Sequence, residues 1–567
     1  MLLKALTDKP KMTKEDFKNE YDELIAKLAF LQQEAHRKEI GLVVLFEGWD
    51  GAGKGSRISD LMCNLDARCS SVVMAKPFCA DMESEFLGLG HGVKGDLPIM
   101  CEFWEKLGSC GSMTIYDKGW YSKALDRVLY GLDSGGYDLV SKKTRKELKE
   151  SQAMDPYVET SKRFEELLVN SGYLVVKFFV HVSQNTMERR LERLYSNPIT
   201  RWRVPKSKIK SPINYKKSLP IIQELLDQSN FDFAPWIILN GEDKRRANLD
   251  IAQALVTTLE NALSKEQSAS DIEAQNKARA NSAGAIAVSD PRGRSAEETA
   301  KVLVAAKDKA ALSASVAPKT SRFKIQKNYP NLDNVDYSLS LDPEDYKRQL
   351  KFEKARLSDL MQRCRCEKIP VVVMYEGGDA AGKGGNIKRI AQAIDSRSYC
   401  IFTSPAPTKV ELLHPHLWRY WCNLPHAGFM GIYDRSWYGR VLVERVEGFA
   451  SNEQWARAYD EINQFEDELM RWGAIMIKFW VEVSPDEQLN RFNLRAENPL
   501  KQWKITDEDW RNRDKAPQYH SAVQDMFRLT STEKAPWHIL ESNNKHYARV
   551  KALRIINSAI ERRLGEN

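Results

Sequence analysis

Apolar residues recur in two distinct rhythms along this chain. Between residues 12 and 38 they fall at helical intervals, which predicts an amphipathic helix, at Phe17, Tyr21, Leu24, Ile25 and Leu28. Short uninterrupted apolar runs come next, such as 42–46 and 371–373, and each half alternates such runs with helical stretches. Strands that alternate with helices predict parallel sheets covered by helices on both faces, with ligands at the carboxyl ends of the strands.

The apolar runs belong to a unit that is written twice. Four segments recur in the same order: LFEGWDGAGKG at 45–55 and MYEGGDAAGKG at 374–384, IYDKGWY at 115–121 and IYDRSWY at 432–438, KFFVHVS at 177–183 and KFWVEVS at 478–484, and APW at 234–236 and 535–537. The third and fourth segments start 57 residues apart in both halves. This repetition indicates an internal duplication.

The duplication divides the chain into two domains and a linker. We place the first domain at 1–262, a flexible linker at 263–322 and the second domain at 323–567. Alanine, serine, lysine and glutamate dominate the linker, and no aromatic residue occurs in it, so it cannot bury enough apolar surface to order itself fully. Within it, 297–312 could form a surface helix.

Both halves carry a glycine-rich turn between an apolar strand and a helix. In the second half, Gly377, Gly382, Gly384 and Gly385 surround Lys383 in the pattern G-x4-G-K. Such glycines let backbone N–H groups close around phosphate oxygens, and the lysine adds a mobile cation. Gly384 stands where the usual loop has a serine or threonine for Mg²⁺, so the metal must be held otherwise. The alternative is a tight strand–helix turn with a solvated lysine.

Two acidic residues are candidates for holding that metal. Asp379 lies inside the loop, and Asp434 ends the apolar run 429–433. Carboxylate oxygens, directly or through water, are ligands that Mg²⁺ prefers. Arg435 and Arg440 flank an aromatic pair and offer planar forks for phosphate oxygens. The alternatives are a strand-end turn for Asp434 and surface ion pairs for the two arginines.

Further basic residues point to a lid. Arg419 lies in the apolar stretch 417–421 and needs an anionic partner if it is buried, either a ligand phosphate or a structural carboxylate. Residues 485–528 are predicted to form a helical lid, which would exclude water and neutralise charge during phosphoryl transfer. The candidate phosphate contacts in it are Arg491, Arg495, Lys501 and Lys504. The alternative is a solvated helical face.

Composition adds a prediction of the cellular compartment and little about the chemistry. The chain has 567 residues, a net charge of +7 and nine cysteines with no metal-binding spacing, which we interpret as reduced thiols in a cytoplasmic protein. No apolar run approaches the ~20 residues of a membrane span, and the start lacks the features of a signal peptide. The modest charge favours anionic partners weakly, and no motif of a nucleic-acid-binding module is present.

Taken together, the motifs resemble those of the polyphosphate kinase 2 family. The resemblance rests on the second loop, on DRSWY at 434–438, on NPLKQWK at 498–504 and on APW at 535–537, and it covers both repeats. It implies an α/β fold of two tandem P-loop kinase-like, three-layer αβα domains with parallel sheets and helical lids. It also implies an Mg²⁺-dependent enzyme that moves phosphate between inorganic polyphosphate and nucleotides. The tandem arrangement is similar to the subgroup that phosphorylates AMP to ADP.

The resemblance also implies roles for particular residues of the second half. Asp379 and Asp434 would bind metal, and Lys383 and Arg435 would hold the transferred phosphoryl group, which makes these four the predicted catalytic set. The basic lid residues would grip the polyphosphate chain. The predicted phosphate and nucleotide contacts outside the loop are Arg419, Arg440, Glu444, Arg491, Arg495, Lys501 and Lys504.

The first half departs from this pattern. It keeps Asp50, Lys54 and Asp117, but Glu102 stands in place of Arg419, and Lys118 in place of Arg435. These changes weaken phosphate binding, because one reverses a charge and the other loses a bidentate fork. We therefore expect a degenerate first site.

The first half nevertheless has a strong local charge. Residues 189–217 hold ten basic residues and one acidic residue, which suggests that this half holds or steers a polyanion. The alternative is a scaffold domain that only pairs with the second half.

Two rival functions stay open on the residues alone. An ATP-dependent nucleoside monophosphate kinase also needs a phosphate loop and a basic lid. A nucleotide or polyanion sensor would need neither site to turn over, although the intact acidic pair of the second half argues against it. The sequence leaves the oligomeric state open, since the two halves could pair with each other and the outer faces could assemble into a homo-oligomer.

Overall fold

A computed structural model describes residues 3, 13–74, 98, 100–122, 155–198, 200–201, 204, 215–283, 322–497, 513 and 515–565. The chain forms two compact units. The first unit is built mainly from the N-terminal half, with the segment Lys409–Pro415 added, and the second mainly from the C-terminal half.

The first unit alternates helices and strands as its periodicity predicts. Its helices are α1 (Lys14–Arg37), α2 (Lys54–Met62), α3 (Cys101–Glu105), α4 (Asp155–Asn170), α5 (Gln184–Ser196), α6 (Tyr215–Gln228) and α7 (Lys244–Ala283). Its strands are β1 (Gly41–Gly48), β2 (Ser70–Met74), β3 (Met113–Asp117), β4 (Tyr173–His181) and β5 (Trp236–Asn240). The helix predicted for 12–38 is confirmed as α1.

The C-terminal half repeats this order. Its helices are α8 (Pro343–Cys366), α9 (Lys383–Ala391), α10 (Lys409–Leu412), α11 (Trp418–Trp421), α12 (Val443–Glu447), α13 (Asn452–Trp472), α14 (Pro485–Ala496), α15 (Ala516–Thr530) and α16 (Lys545–Gly565). Its strands are β6 (Val371–Gly377), β7 (Tyr399–Thr403), β8 (Met430–Asp434), β9 (Ile475–Glu482) and β10 (Trp537–Glu541). Short 3-10 turns lie at Ala67–Cys69, Leu332–Asn334 and Trp437–Val441.

Each unit contains one five-stranded parallel sheet with the same strand order. The orders are β2-β3-β1-β4-β5 and β7-β8-β6-β9-β10, and every pair is parallel. The central strands β1 and β6 are buried almost throughout, which explains why they read as unbroken apolar runs. The α/β class with two tandem parallel-sheet domains is thus confirmed.

The core of the second unit fixes where its loops meet. Val373, Ile432 and Ile477 of the sheet are buried together with Leu357 of α8 and Ile556 of α16. Strand β6 runs beside β8 in a register that puts Tyr375 opposite Asp434. The two loops that follow these strands therefore start side by side at the carboxyl edge of the sheet, where a doubly wound fold binds its ligand.

Two parts of the chain differ from the expectation. Helix α7 is 40 residues long and ends at Ala283, so residues 263–283 of the predicted linker continue a helix. Their alanine, lysine and glutamate content favours helix. The remainder, 284–321, lies outside the described residues, and with it the surface helix suggested for 297–312.

The predicted lid is described only in part. Helix α14 covers its beginning, and 498–512 lie outside the described residues. Helix α15 buries Ala522, Val523, Met526 and Phe527, so residues 516–528 form a core helix, which is neither the predicted lid nor its alternative, a solvated face. Their charged neighbours in sequence concealed this apolar stripe.

Within the described residues, no helix is both long enough and apolar enough to cross a lipid bilayer. The eight cysteines of this part of the chain form no disulfide bond with one another.

Candidate active site

The loop between β6 and α9 needs glycine at its two ends. Gly377 has φ = +143°, and a Cβ there would stand 2.4 Å from the carbonyl oxygen of Val481 on the neighbouring strand. Gly382, just before α9, has φ = +121°. Side chains are rare in this backbone region, so the two glycines allow the chain to turn tightly into the helix. A Cβ on Gly384 would meet nothing within 4 Å, so the first turn of α9 borders open space.

Lys383 and the predicted carboxylates come together at this loop. The Nζ of Lys383 donates to the carbonyl oxygens of Gly377 and Gly378, at 2.6 and 3.1 Å. Burial lowers the pKa of Lys383, while the carboxylates of Asp379 and Asp434 oppose that shift. The loop lysine is therefore close enough to both predicted metal-holding residues to feel their charges.

Arg435 and Glu376 connect the two loops. Arg435 Nη2 lies 3.0 Å from Asp379 Oδ1 and the residue has φ = +64°, so its side chain points back across the phosphate loop.

Glu376 is buried, and its Oε1 accepts hydrogen bonds from the backbone N–H and the hydroxyl of Ser436, each at 2.7 Å. Burial raises the pKa of Glu376, and these bonds oppose the shift. Sequence reasoning missed Glu376, although Glu47 repeats it in the first half.

Arg491 is committed to the protein rather than to solvent. Its Nη1 donates to the carbonyl oxygens of Ala380 and Ala381, at 2.9 and 2.8 Å, and its Nη2 donates to those of Ser542 and Asn543. The side chain is only 4% exposed. Arg491 thus supports the backbone of the phosphate loop from behind, while its assignment as a phosphate contact stays a prediction.

The other predicted contacts are more dispersed. Arg440 pairs with Glu444 at 3.0 Å, so these two lie together. Arg419 Nη1 donates to the carbonyl oxygen of Pro405 at 3.1 Å. Arg495 lies one turn beyond Arg491 on α14. Lys501 and Lys504 lie outside the described residues.

A buried ion pair orients the aromatic pair that follows Arg435. Lys478 and Glu466 lie 2.8 Å apart and are essentially unexposed. Glu466 also accepts hydrogen bonds from Trp437 Nε1 and the Tyr438 hydroxyl, at 3.0 and 2.8 Å, and Lys478 donates to the carbonyl oxygen of Thr530. The network holds Trp437 and Tyr438 in place at the start of the 3-10 turn that lies between Arg435 and Arg440. Glu165 and Lys177 of the first unit form the same pair at 2.9 Å, a repetition that could have revealed it.

The first unit keeps the loop geometry with weaker chemistry. Lys54 Nζ donates to the carbonyl oxygens of Gly48 and Trp49, at 2.8 and 3.0 Å, as Lys383 does to its own loop. Lys118 reaches Asp50 only at 3.6 Å, where the second unit has the closer arginine pair. The predicted third residue, Asp117, ends β3 beside this loop.

The first unit also packs its loop differently. Trp49 stands where the second unit has Gly378, and its indole is fully buried. It stacks on Tyr215 with ring centroids 4.2 Å apart, and its Nε1 donates to His181 Nδ1 at 3.2 Å. In the second unit a Cβ on Gly378 would lie 3.3 Å from the amide nitrogen of Gln488. An aromatic cluster therefore lies beside the phosphate loop of the first unit. The second unit has Gly378 and the side-chain amide of Gln488 at the corresponding place.

A parallel sheet, a glycine-rich loop opening a helix, a loop lysine and two carboxylates at one sheet edge define the class of P-loop proteins that handle phosphoryl groups. Comparison with known proteins narrows the class. The family model of polyphosphate kinase 2 matches residues 11–267 and 340–567. The chain therefore belongs to the polyphosphate kinase 2 family, in a form with two copies of the family domain.

Two relatives that match nearly the whole chain share one activity in their names. The chain is 35% identical over 532 residues to a polyphosphate:AMP phosphotransferase of Pseudomonas syringae pv. tomato, which covers 94% of this chain and 92% of the relative. It is 34% identical to the polyphosphate:AMP phosphotransferase of Pseudomonas aeruginosa, over 96% of each chain. A crystal structure described as a polyphosphate kinase 2 of Pseudomonas aeruginosa superposes with a TM-score of 0.73 at 32% identity, and covers 100% of both chains.

Proposed function

We propose that this protein transfers the terminal phosphoryl group of inorganic polyphosphate to AMP, giving ADP, and that the second unit performs the reaction. The observation that carries the proposal is the convergence of Lys383, Asp379, Asp434 and Arg435 at one edge of the second sheet. Full-length relatives named for this reaction support the choice of donor and acceptor.

The residues of the chain would act by position and charge. The AMP phosphate is already anionic, so it needs no strong general base to attack the terminal phosphorus in line. Lys383 would move from its two loop carbonyls to the oxygens of the transferred group, and Arg435 would exchange its bond with Asp379 for a phosphate contact. Preorganised cations that offset charge on those oxygens carry most of the rate in this chemistry.

The acidic pair fits Mg²⁺. In the part of the chain that the structure describes, no three histidine, cysteine or acidic side chains are grouped as a metal site. Mg²⁺ commonly binds one or two carboxylates and takes its remaining ligands from substrate phosphates and water. Asp434 forms no ion pair or side-chain hydrogen bond with any described residue, so its carboxylate is available. When bound by Asp379 and Asp434, the ion would neutralise negative charge on the phosphates.

The first unit would not turn over. Its lysine at position 118 lacks the fork of Arg435, and Trp49 fills the space beside its loop. The suggestion that this half holds a polyanion stays a prediction, because residues 202–203 and 205–214 of the basic stretch lie outside the described residues. We place the activity in the cytoplasm, in keeping with the free cysteines.

Two parallel reactions test the proposal. The purified protein is mixed with Mg²⁺, AMP and polyphosphate in one, and with Mg²⁺, AMP and ATP in the other, and ADP is measured by chromatography with a no-enzyme blank subtracted. ADP formed from polyphosphate is the expected result. Reaction only with ATP would make the protein an ordinary monophosphate kinase. If neither tube reacts, with GMP and ADP also tried as acceptors, the sensor interpretation would replace the proposal.

A further inference from the structure

Arg549 of α16 lies directly against the first turn of α9. Its Nη2 is 3.2 Å from the position that a Cβ on Gly385 would occupy. Its Nη1 donates to the Tyr346 hydroxyl at 3.4 Å, and the ring of Tyr346 stacks on His546 with centroids 4.0 Å apart. This guanidinium is therefore held beside the phosphate loop by an aromatic residue, and no carboxylate of the described residues lies within 4.0 Å of it.

Three more cations lie in the neighbourhood of Arg549. Arg389 Nη1 donates to the carbonyl oxygen of Gly385 at 3.3 Å, which places its side chain along the same turn. Lys545 starts α16, and its pKa is lowered by partial burial and then by the charges of nearby arginines, including Arg549 and Arg495. We call Arg389, Arg495, Lys545 and Arg549 the cationic patch.

The patch is not neutralised within the described part of the chain. None of its four members has a carboxylate oxygen within 4.0 Å, although ion pairs are frequent elsewhere in this unit. The acidic residue whose charge reaches Lys545 is Glu487, and its carboxylate is bonded to Arg491 Nε at 2.7 Å. Like charges held this close repel one another, so the arrangement costs stability unless an anion binds to it.

The fold itself does not require these charges. At the equivalent positions of the first unit, which share the loop and helix spacing, stand Asp60, Leu194, Lys244 and Asn248. Asp60 there accepts hydrogen bonds from Arg57 and Asn248, each at 3.0 Å. Four positive charges in the second unit are thus replaced by one lysine and one aspartate that has its own partners. The first unit folds the same sheet and helices without the patch.

We infer that the cationic patch binds the phosphates of the donor chain that lie behind the transferred phosphoryl group. The inference rests on the proposed function and adds a donor subsite to it. AMP has a single phosphate, which must reach the acceptor position, whereas a polyphosphate has one negative charge or more on each successive phosphate. Only the donor can therefore contact the loop lysine and the patch at the same time.

Arg549→Asn tests this, because asparagine is the residue of the first unit at that position. We expect the KM for polyphosphate to rise about 10-fold, as for the loss of one partly exposed charge-assisted contact, with the KM for AMP and kcat changed less than about twofold. Raising salt should also weaken donor binding less steeply in the variant than in the parent protein. Arg554→Asn is the matched control, because Arg554 lies on the same helix and bonds to Glu353 and Gln349; it should behave as the parent protein.

The outcomes separate this inference from the proposed function. An unchanged KM for polyphosphate, an equal rise in the KM for AMP, or a fall in kcat alone would overturn the subsite, while ADP formation by the parent protein would still support the proposed function. Absence of that ADP formation would refute the proposed function itself. Lys545→Ser, at an exposed position, gives a second measurement if Arg549→Asn fails to fold, and should raise the KM for polyphosphate about threefold.

Discussion

Replacing the two loop lysines separately tests which unit catalyses. Lys383→Met and Lys54→Met keep an unbranched side chain of similar length and remove the positive charge. Each lysine donates to two loop carbonyls, at 2.6 and 3.1 Å in the second unit and at 2.8 and 3.0 Å in the first. The two variants therefore lose closely matched hydrogen bonds, so a difference in their rates reports on the role of each lysine in catalysis.

The expected magnitude follows from the electrostatics of the site. A cation about 4 Å from a charged phosphoryl oxygen contributes about 4 kcal/mol at an effective dielectric constant of about 20. If that interaction develops in the transition state, losing it slows the reaction about 10³-fold, and single donors removed from comparable sites cost about 10²- to 10³-fold. We expect Lys383→Met to lower kcat by about 10²- to 10³-fold, and Lys54→Met to change it less than about twofold.

The assay is the initial rate of ADP formation from saturating polyphosphate and AMP with Mg²⁺. Thermal unfolding of both variants serves as the control, and similar losses of Tm are expected because the carbonyl contacts are equivalent. Equal losses of kcat in the two variants would refute the division of labour between the units. Retention of more than about a tenth of the rate by Lys383→Met would refute the electrostatic role of that lysine.

Three further predictions concern the second unit. Burial and nearby lysine charges lower the pKa of His538 to about 4. The unfolded state therefore binds a proton at this residue more readily than the folded state does. The free energy of unfolding should fall by up to about 3 kcal/mol as the pH drops from about 6.5 to 4. His538→Gln should reduce this loss, which unfolding at several pH values measures. Gly377→Ala should lower the free energy of unfolding by about 3 kcal/mol and remove most activity, because its Cβ would lie 2.4 Å from a strand carbonyl oxygen. Gly384→Ala is the control and should unfold like the parent protein, because a Cβ there meets open space. Lys478→Met should lower the free energy of unfolding by about 3–5 kcal/mol, because it leaves the buried carboxylate of Glu466 without its cation. Adding Glu466→Gln should recover at least half of this loss, and urea unfolding measures both variants. No recovery would contradict the role of the buried ion pair.

Much of the fold follows from local pattern. The helical rhythm of 12–38 predicted α1, and the unbroken apolar runs predicted β1 and β6, because a strand buried on both faces has no polar side. The repeated glycine-rich loop also predicted at which edge of each sheet a ligand would bind. Its conformation depends on residues adjacent in sequence, so Gly377, Gly382 and Lys383 could be recognised without knowing what packs around them.

Helix α15 shows where local pattern misled. Its charged sequence neighbours suggested a lid, but a stripe of four apolar residues on it is buried. Net charge over a segment does not report which face of a helix is covered. Which face of α15 is buried depends on the elements that pack against it.

Periodicity and turn chemistry are local properties, so the residues alone predicted a duplicated α/β chain with a phosphate loop in each half. The tertiary structure decided the partners of the charges. Arg491 looked like a lid residue, yet it bonds to the carbonyl oxygen of Ala380, 111 positions away. Lys478 and Glu466 neutralise each other, whereas Arg549 lies beside the loop with no carboxylate of the described residues within 4.0 Å. A charged side chain can reach many partners, and only the folded backbone selects among them.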